Sequence, residues 1–480
     1  MAASAAATSA AAARLSRLAP RYRRPEPTTW RTPGRSRVVV AQAARIEPLF
    51  LGIDFGTSGA RQVVIDRSER VQSEFSSAYS QHESLDTAWS SALWQLLDAI
   101  PADQRRRIAS LAIDGTSATT LLIDGDSGRC LAPPKLYNEA QPQSVVQRAR
   151  QMAPAEHTAT AATSTLCKVL AWDEEGLWQG AEAQGVEPAI VHQADWVAGL
   201  LHGLWRVTDY NNALKLGYDP EAELYPDWLA DQPFAHLLPL AVVGPGTPVG
   251  PITAEVAQRT GLPPTCLVCG GTTDSIAAFV AAGVSEVGEA VTSLGSTLAV
   301  KLLSEARVDD ARYGLYSHRL GSGWLVGGAS NTGGAVLRQF FSDSQLAELT
   351  PRLAGADHPT GLDYYPLTRP GERCPVADPN LQPRLEPRPA DDAVFLQGIL
   401  ESIARIEAQT YRLLADLGAT PVGRVYTAGG GARNPVWTAI RQRQLGVPVV
   451  VSAQAEAAFG SALLAKQGYA LANPPAAVVM

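Results

Sequence analysis

Asp54 closes the apolar stretch LFLGID and runs directly into Gly56-Thr57-Ser58-Gly59, after which residues 61–65 resume an apolar pattern. A carboxylate beside a glycine and hydroxyl turn suits phosphate. Backbone amides and hydroxyls hold the oxyanion, while the carboxylate answers a Mg²⁺ ion that keeps most of its own waters. Neither common nucleotide loop is present: a Walker A loop needs Gly-Lys-Ser/Thr and a dinucleotide loop needs G-x-G-x-x-G, each opening a helix. Here a second strand follows instead. The theme recurs at AVTSLGSTLAVKL, where Gly295, Ser296 and Thr297 separate two apolar runs, and where residues 109–114 lead into Gly115-Thr116-Ser117.

Two further stretches carry chemistry. In VCGGTTDSIAAFVAAG, residues 268–283, the pattern predicts a strand, a glycine turn and a helix beginning near Asp274. Asp274 serves there either as a helix N-cap or as a general base kept ionised by the helix dipole. In VYTAGGGARNPVWTAIRQRQLGVPVVV, Gly429-Gly430-Gly431 lies between an apolar strand and a helical stretch. Such a platform lets a flat ring approach the backbone, and Asn434 is a candidate amide partner for a purine, so the segment reads as a base and ribose site.

Strand-like and helix-like stretches alternate throughout, which argues for α/β architecture. The first two strands form a hairpin, residues 89–100 read as an amphipathic helix, and residues 355–392, rich in Pro and charge, read as a surface excursion. Residues 394–417 form a helix that packs either internally or at a dimer interface. The repeated turns fit two related halves facing one cleft.

With 480 residues and 46% hydrophobic content, the chain accommodates two domains and has no apolar run of the 18 or more residues that cross a bilayer. Its first 45 residues are rich in Ala, Ser, Thr and Arg, the composition of an organelle transit peptide, with a basic tail as the alternative. The expected destination is the chloroplast stroma, with the mitochondrion second. Removing their nine Arg and one Glu takes the net charge from −7 to about −15, which disfavours nucleic acid as a partner. Cys266 and Cys269 have CxxC spacing but lie in a strand-like run, where they read as core.

Taken together these motifs resemble the FGGY carbohydrate kinases of the actin, Hsp70 and hexokinase superfamily, over residues 49–471. GIDFGTSGAR resembles the family's first phosphate motif, SLGSTLAV the second, AGGGARNPVWTAIRQRQLGVPV the adenosine motif, GGTTDSIAAFVAAG the segment of the catalytic aspartate, and PGERCPVADP a GER-x-P loop. AIDGTSATTLLIDGDSG and TDYNNALKLGYDPEAELYPDWL narrow the resemblance to the plant and cyanobacterial D-ribulose kinase branch, described as xylulose-kinase-like. The usual sugar-facing His and Arg are missing: Thr116-Ser117-Ala118 and Asn138-Glu139-Ala140 stand in their places.

The resemblance implies a two-domain, ribonuclease H-like α/β fold with ATP and sugar in the interdomain cleft. Its expected parts are a leader (1–45), an N-terminal domain (46–284) and a C-terminal domain (285–480). It further implies that Asp274 takes the proton of a terminal sugar hydroxyl, and that Asp54 touches the sugar and, through water, Mg²⁺. Ser117 becomes the candidate for a replacement sugar contact. Gly56, Thr57 and Ser58 with Gly295, Ser296 and Thr297 would hold the phosphates, and Gly429, Gly430, Gly431 and Asn434 the adenosine. The expected reaction is D-ribulose to D-ribulose 5-phosphate. D-xylulose and a weakly active ATPase or sugar sensor are the alternatives, with monomer and homodimer both open.

Overall fold

The computed structural model describes residues 47–155, 157–355 and 357–474; the leader expected over residues 1–45 lies outside them. Two six-stranded sheets dominate. The first contains β1 (Leu49–Phe55), β2 (Gly59–Ile65), β3 (Val71–Ala78), β4 (Ile108–Gly115), β5 (Pro248–Pro251) and β6 (Leu267–Thr273), in the order β3-β2-β1-β4-β6-β5. The second contains β7 (Glu289–Leu294), β8 (Leu298–Ser304), β9 (Tyr316–Leu320), β10 (Gly323–Ser330), β11 (Arg424–Ala428) and β12 (Val449–Val451), in the order β9-β10-β8-β7-β11-β12.

Each sheet opens with an antiparallel hairpin whose first strand then takes a parallel neighbour: β1 pairs β2 and β4, and β7 pairs β8 and β11. This is the structural form of the repeated turn. Parallel strands of this kind must be covered on both faces, which their near-continuous apolar runs allow.

One face of the first sheet is covered by α1 (Leu85–Ala99), whose Trp89, Leu93, Leu96 and Leu97 meet Leu51, Ile53 and Leu111. The helix expected over 89–100 therefore starts four residues earlier. A second cluster gathers around α2 (Thr165–Glu174), beside the short antiparallel pair formed by Thr120–Asp124 and Pro188–His192. The second sheet is covered by α4 (Asp392–Asp416) and α5 (Pro435–Leu445), through Ile399, Ile403, Trp437 and Ile440. That contact settles α4 as an internal helix.

Between the halves runs α3 (Asp274–Ala281), which packs Ile276 and Phe279 onto Val291 and Leu325 of the second sheet. Along it lies α6 (Ala457–Ala472), the last helix, and α6 rests on the first sheet, against Phe50, Ala112 and Cys269. A division at residues 284 and 285 therefore separates the two sheets but leaves α6 on the sheet that was built first. The approach is at backbone distance: a Cβ on Gly52 would lie 2.0 Å from the Ala458 carbonyl oxygen, and one on Gly460 1.8 Å from that of Ala277.

Gly270 and Gly271, expected in a turn, are instead part of β6. The reason is steric: a Cβ on Gly271 would stand 1.9 Å from the Ile113 carbonyl oxygen, where the register between β6 and β4 shifts. Cys266 and Cys269 are buried free thiols, as expected of core, and burial pushes the Cys269 thiol up to about 12, so neither is poised for redox chemistry.

Candidate functional site

The carboxyl ends of three adjacent parallel strands of the first sheet carry the expected residues. β1 ends at Asp54-Phe55, β4 at Asp114-Gly115 just before Ser117, and β6 at Thr273 just before Asp274; Phe55 pairs with Gly115 and Gly115 with Thr273. Ligands of open parallel sheets bind beyond these ends. The turn after β1 closes through the Gly56 amide, which donates to the Gly59 carbonyl at 3.1 Å, leaving Thr57 and Ser58 exposed. Thr57 Oγ1 donates to Tyr137 Oη at 3.5 Å, and the Tyr137 amide donates to Thr119 Oγ1 at 3.0 Å, so the Gly56–Gly59 turn and the Ser117 turn are neighbours.

Asp114 sits directly opposite Asp54 and was not among the residues picked out from sequence. It is fully buried, and Ser461 Oγ of α6 donates to its Oδ2 at 2.6 Å. Burial first, then the Asp54 charge, push its carboxyl well above the ordinary range, so Asp114 is the neutral member of the pair. Asp54 is also raised, chiefly by burial and further by Asp274, while Asp114 pulls it back. Asp54 Oδ1 and Asp114 Oδ1 are both buried without a hydrogen-bond partner.

Asp274 stands in the first turn of α3, with Thr273 in the capping position, so the N-cap reading gives way. Its Oδ1 accepts from the Ser275 amide at 2.6 Å. Burial raises its carboxyl, whereas that amide, Lys301 and Lys215 hold it down. Lys301 reaches from β8 of the second sheet to donate to the Ser275 carbonyl at 2.7 Å, so one cation of the second half stands beside Asp274 of the first. A cavity of about 1070 Å³ is lined by His157, Thr160, Leu214, Arg307 and Tyr316 among others, and Asp54, Ser117, Asp274 and Lys301 are not on its wall.

The second sheet repeats the arrangement. β7 leads into Gly295-Ser296-Thr297 and the adjacent parallel β11 into Gly429-Gly430-Gly431. Ser296 and Thr297 are exposed, and Arg338 donates to Ser296 Oγ at 3.3 Å, a cation that no local pattern announced. Gly429 has φ +84° and a Cβ there would meet the Leu294 carbonyl at 2.8 Å, whereas Gly430 faces open space. Asn434 caps α5, its Oδ1 accepting from the Trp437 amide at 3.0 Å while its Nδ2 donates to Thr350 Oγ1 at 3.3 Å. Behind this platform Arg441 and Glu407, both fully buried, pair through two bonds of 2.6 and 2.7 Å.

Solved structures of sugar kinases share this architecture: the chain superposes on a xylulose kinase from Rhodospirillum rubrum with a TM-score of 0.73, at 23% identity, covering 88% of this chain and 90% of that one. The protein thus has the two-domain α/β sugar-kinase fold. Residues 290–469 match the FGGY family of carbohydrate kinases, C-terminal domain. Curated relatives include a gluconokinase of Bacillus subtilis (strain 168), 23% identical over 38% of this chain and 39% of its own length. A xylulose kinase of the same organism is 25% identical over 46% of each. The chain spans less than half the length of these curated relatives.

Proposed function

We propose that this chain is an ATP-dependent ketopentose kinase that phosphorylates the terminal hydroxyl of D-ribulose. The observation that carries the proposal is the convergence of Asp54, Ser117 and Asp274 on neighbouring strand ends of one sheet, with an exposed hydroxyl turn on each sheet.

In this reading Gly56, Thr57 and Ser58 hold the β- and γ-phosphates from one side and Gly295, Ser296 and Thr297 from the other, while Gly429–Gly431 seat the adenosine. Asp274 accepts the proton of the sugar's terminal hydroxyl as its oxygen bonds to the γ-phosphorus. The bond to the β-phosphate oxygen breaks and ADP leaves. Its raised carboxyl makes Asp274 a better base near neutral pH, and Asp54 and Ser117 orient the acceptor. The unpartnered Oδ1 of Asp54 beside the phosphate turn fits a water-mediated Mg²⁺, which when bound would neutralise phosphate charge. The capped Asn434 offers its ring partner less than its sequence position promised.

D-xylulose is the second reading, favoured by the similarity to a protein named xylulose kinase; the two ketopentoses differ at one hydroxyl-bearing carbon. The deciding measurement is ADP release by the full chain with ATP, Mg²⁺ and D-ribulose, D-xylulose, gluconate, glycerol or no sugar. Stimulation by D-ribulose above all others is expected; a rate indifferent to every acceptor would overturn the kinase reading. Residues 1–45 would direct the protein to the chloroplast stroma, which import into isolated chloroplasts with removal of the leader would test.

A further inference from the structure

We infer that Lys168 is a positioning residue for the acceptor: its buried side chain locks the turn that presents Ser117, and so sets sugar affinity without touching sugar. The inference rests on the assignment of Ser117 to the acceptor.

The turn spans Thr116 to Thr119, closed by the Thr119 amide donating to the Thr116 carbonyl at 3.2 Å. Its third residue, Ala118, is buried with φ +67°, the conformation that a type II turn demands and that Gly or Asn ordinarily supplies. An alanine held there costs about 1–2 kcal/mol. Something must hold it. The Ala118 carbonyl accepts from Lys168 Nζ, which arrives from α2, and from Thr120 Oγ1 at 2.9 Å.

Lys168 is fully buried, although it lies in a helix that otherwise packs Leu166, Val169 and Leu170 into the core. Removing an ammonium from water is expensive, so its retention asks for a role. Around it Glu139 favours the charged form while Lys135 and Lys215 oppose it, and burial, the larger effect, draws it down to about 7. The rest of the turn is fastened too: Thr116 donates through its amide and its hydroxyl to Gln193 Oε1, at 3.0 and 2.8 Å. Ser117 is left half-buried at the apex. The lysine thus holds the one peptide in the turn whose conformation is unfavourable, and Ser117 precedes that peptide.

The test is a cycle of Lys168→Met, Ala118→Gly and the double variant in the full chain. Glycine removes the need for the lysine by making the left-handed conformation cheap. Lys168→Met should raise KM for the sugar about tenfold while kcat and KM for ATP stay within about twofold. Ala118→Gly alone should behave as wild type, and the double variant should recover most of the loss. Amide exchange at Thr119 supplies a readout independent of turnover: faster in Lys168→Met, slowed again in the double variant. An unchanged sugar KM in Lys168→Met, an equal rise for ATP and sugar that glycine does not relieve, or unchanged Thr119 exchange would each overturn the inference. Altered exchange in a protein that phosphorylates no sugar would uphold the lock and discard the kinase reading.

Discussion

Asp54 and Asp114 face each other in register on adjacent parallel strands, and burial together with the Asp54 charge pushes the carboxyl of Asp114 well above the ordinary range, so that it stays protonated. A neutral Asp114 is replaceable by an amide of the same shape, which can donate to Asp54 and accept from Ser461. Asp114→Asn should therefore keep kcat within about threefold of wild type. Asp114→Ala leaves Asp54 and Ser461 without that partner and should lower kcat at least about tenfold. Steady-state kinetics of both variants decides; equal losses would show that Asp114 works ionised.

Asp274 is the proposed base. Asp274→Asn should reduce sugar phosphorylation by about 10²–10⁴-fold, the range that general-base removal costs, with ATP affinity nearly unchanged by calorimetry.

Lys301 holds the Asp274 carboxyl down. Removing that cation in Lys301→Met lets the carboxyl rise, so the acid limb of the kcat/KM profile should move to higher pH. A shift in the opposite direction would separate Lys301 from the base.

Lys168 titrates near 7 in the folded chain and, once unfolded, near the ordinary lysine value of 10.5. Between those values the unfolded chain holds the extra proton, so stability rises with pH through this window, by up to about 1.4 kcal/mol per pH unit. Denaturant unfolding at pH 6.5 and 9 should show a smaller rise in Lys168→Met than in wild type.

The Arg441–Glu407 pair ties α5 to α4 beneath the glycine platform, with Arg441 also donating to Thr427 Oγ1 on β11. Arg441→Met strands a buried carboxylate and should cost about 3–5 kcal/mol of stability by chemical denaturation.

Local patterns made part of this structure legible. The two hydroxyl turns and Asp274 could be found because a turn between apolar strands is written in consecutive residues. Asp114 could not: an aspartate closing an apolar strand looks like turn chemistry until the lateral pairing of β4 with β1 sets it beside Asp54. Lys168 is similarly opaque, since its partner is the carbonyl of a residue fifty positions earlier, and a carbonyl has no sequence signature. Gly270 and Gly271 were legible as special positions, but what they permit is close strand contact, which depends on β4. Asn434 shows the reverse case, where position suggested a ligand and the side chain is committed to capping α5.

The last helix has a consequence for how the chain comes into being. Proteins emerge from the ribosome amino end first, and domains commonly fold in that order. Here the sheet face bearing Phe50, Ala112 and Cys269 is complete once the strand of Cys269 has been made, yet its cover, α6, begins only at Ala457. That face stays uncovered while the second sheet is made, and Ser461 reaches Asp114 only after α6 has emerged. The nascent chain must be shielded, or wait, before its oldest half can finish.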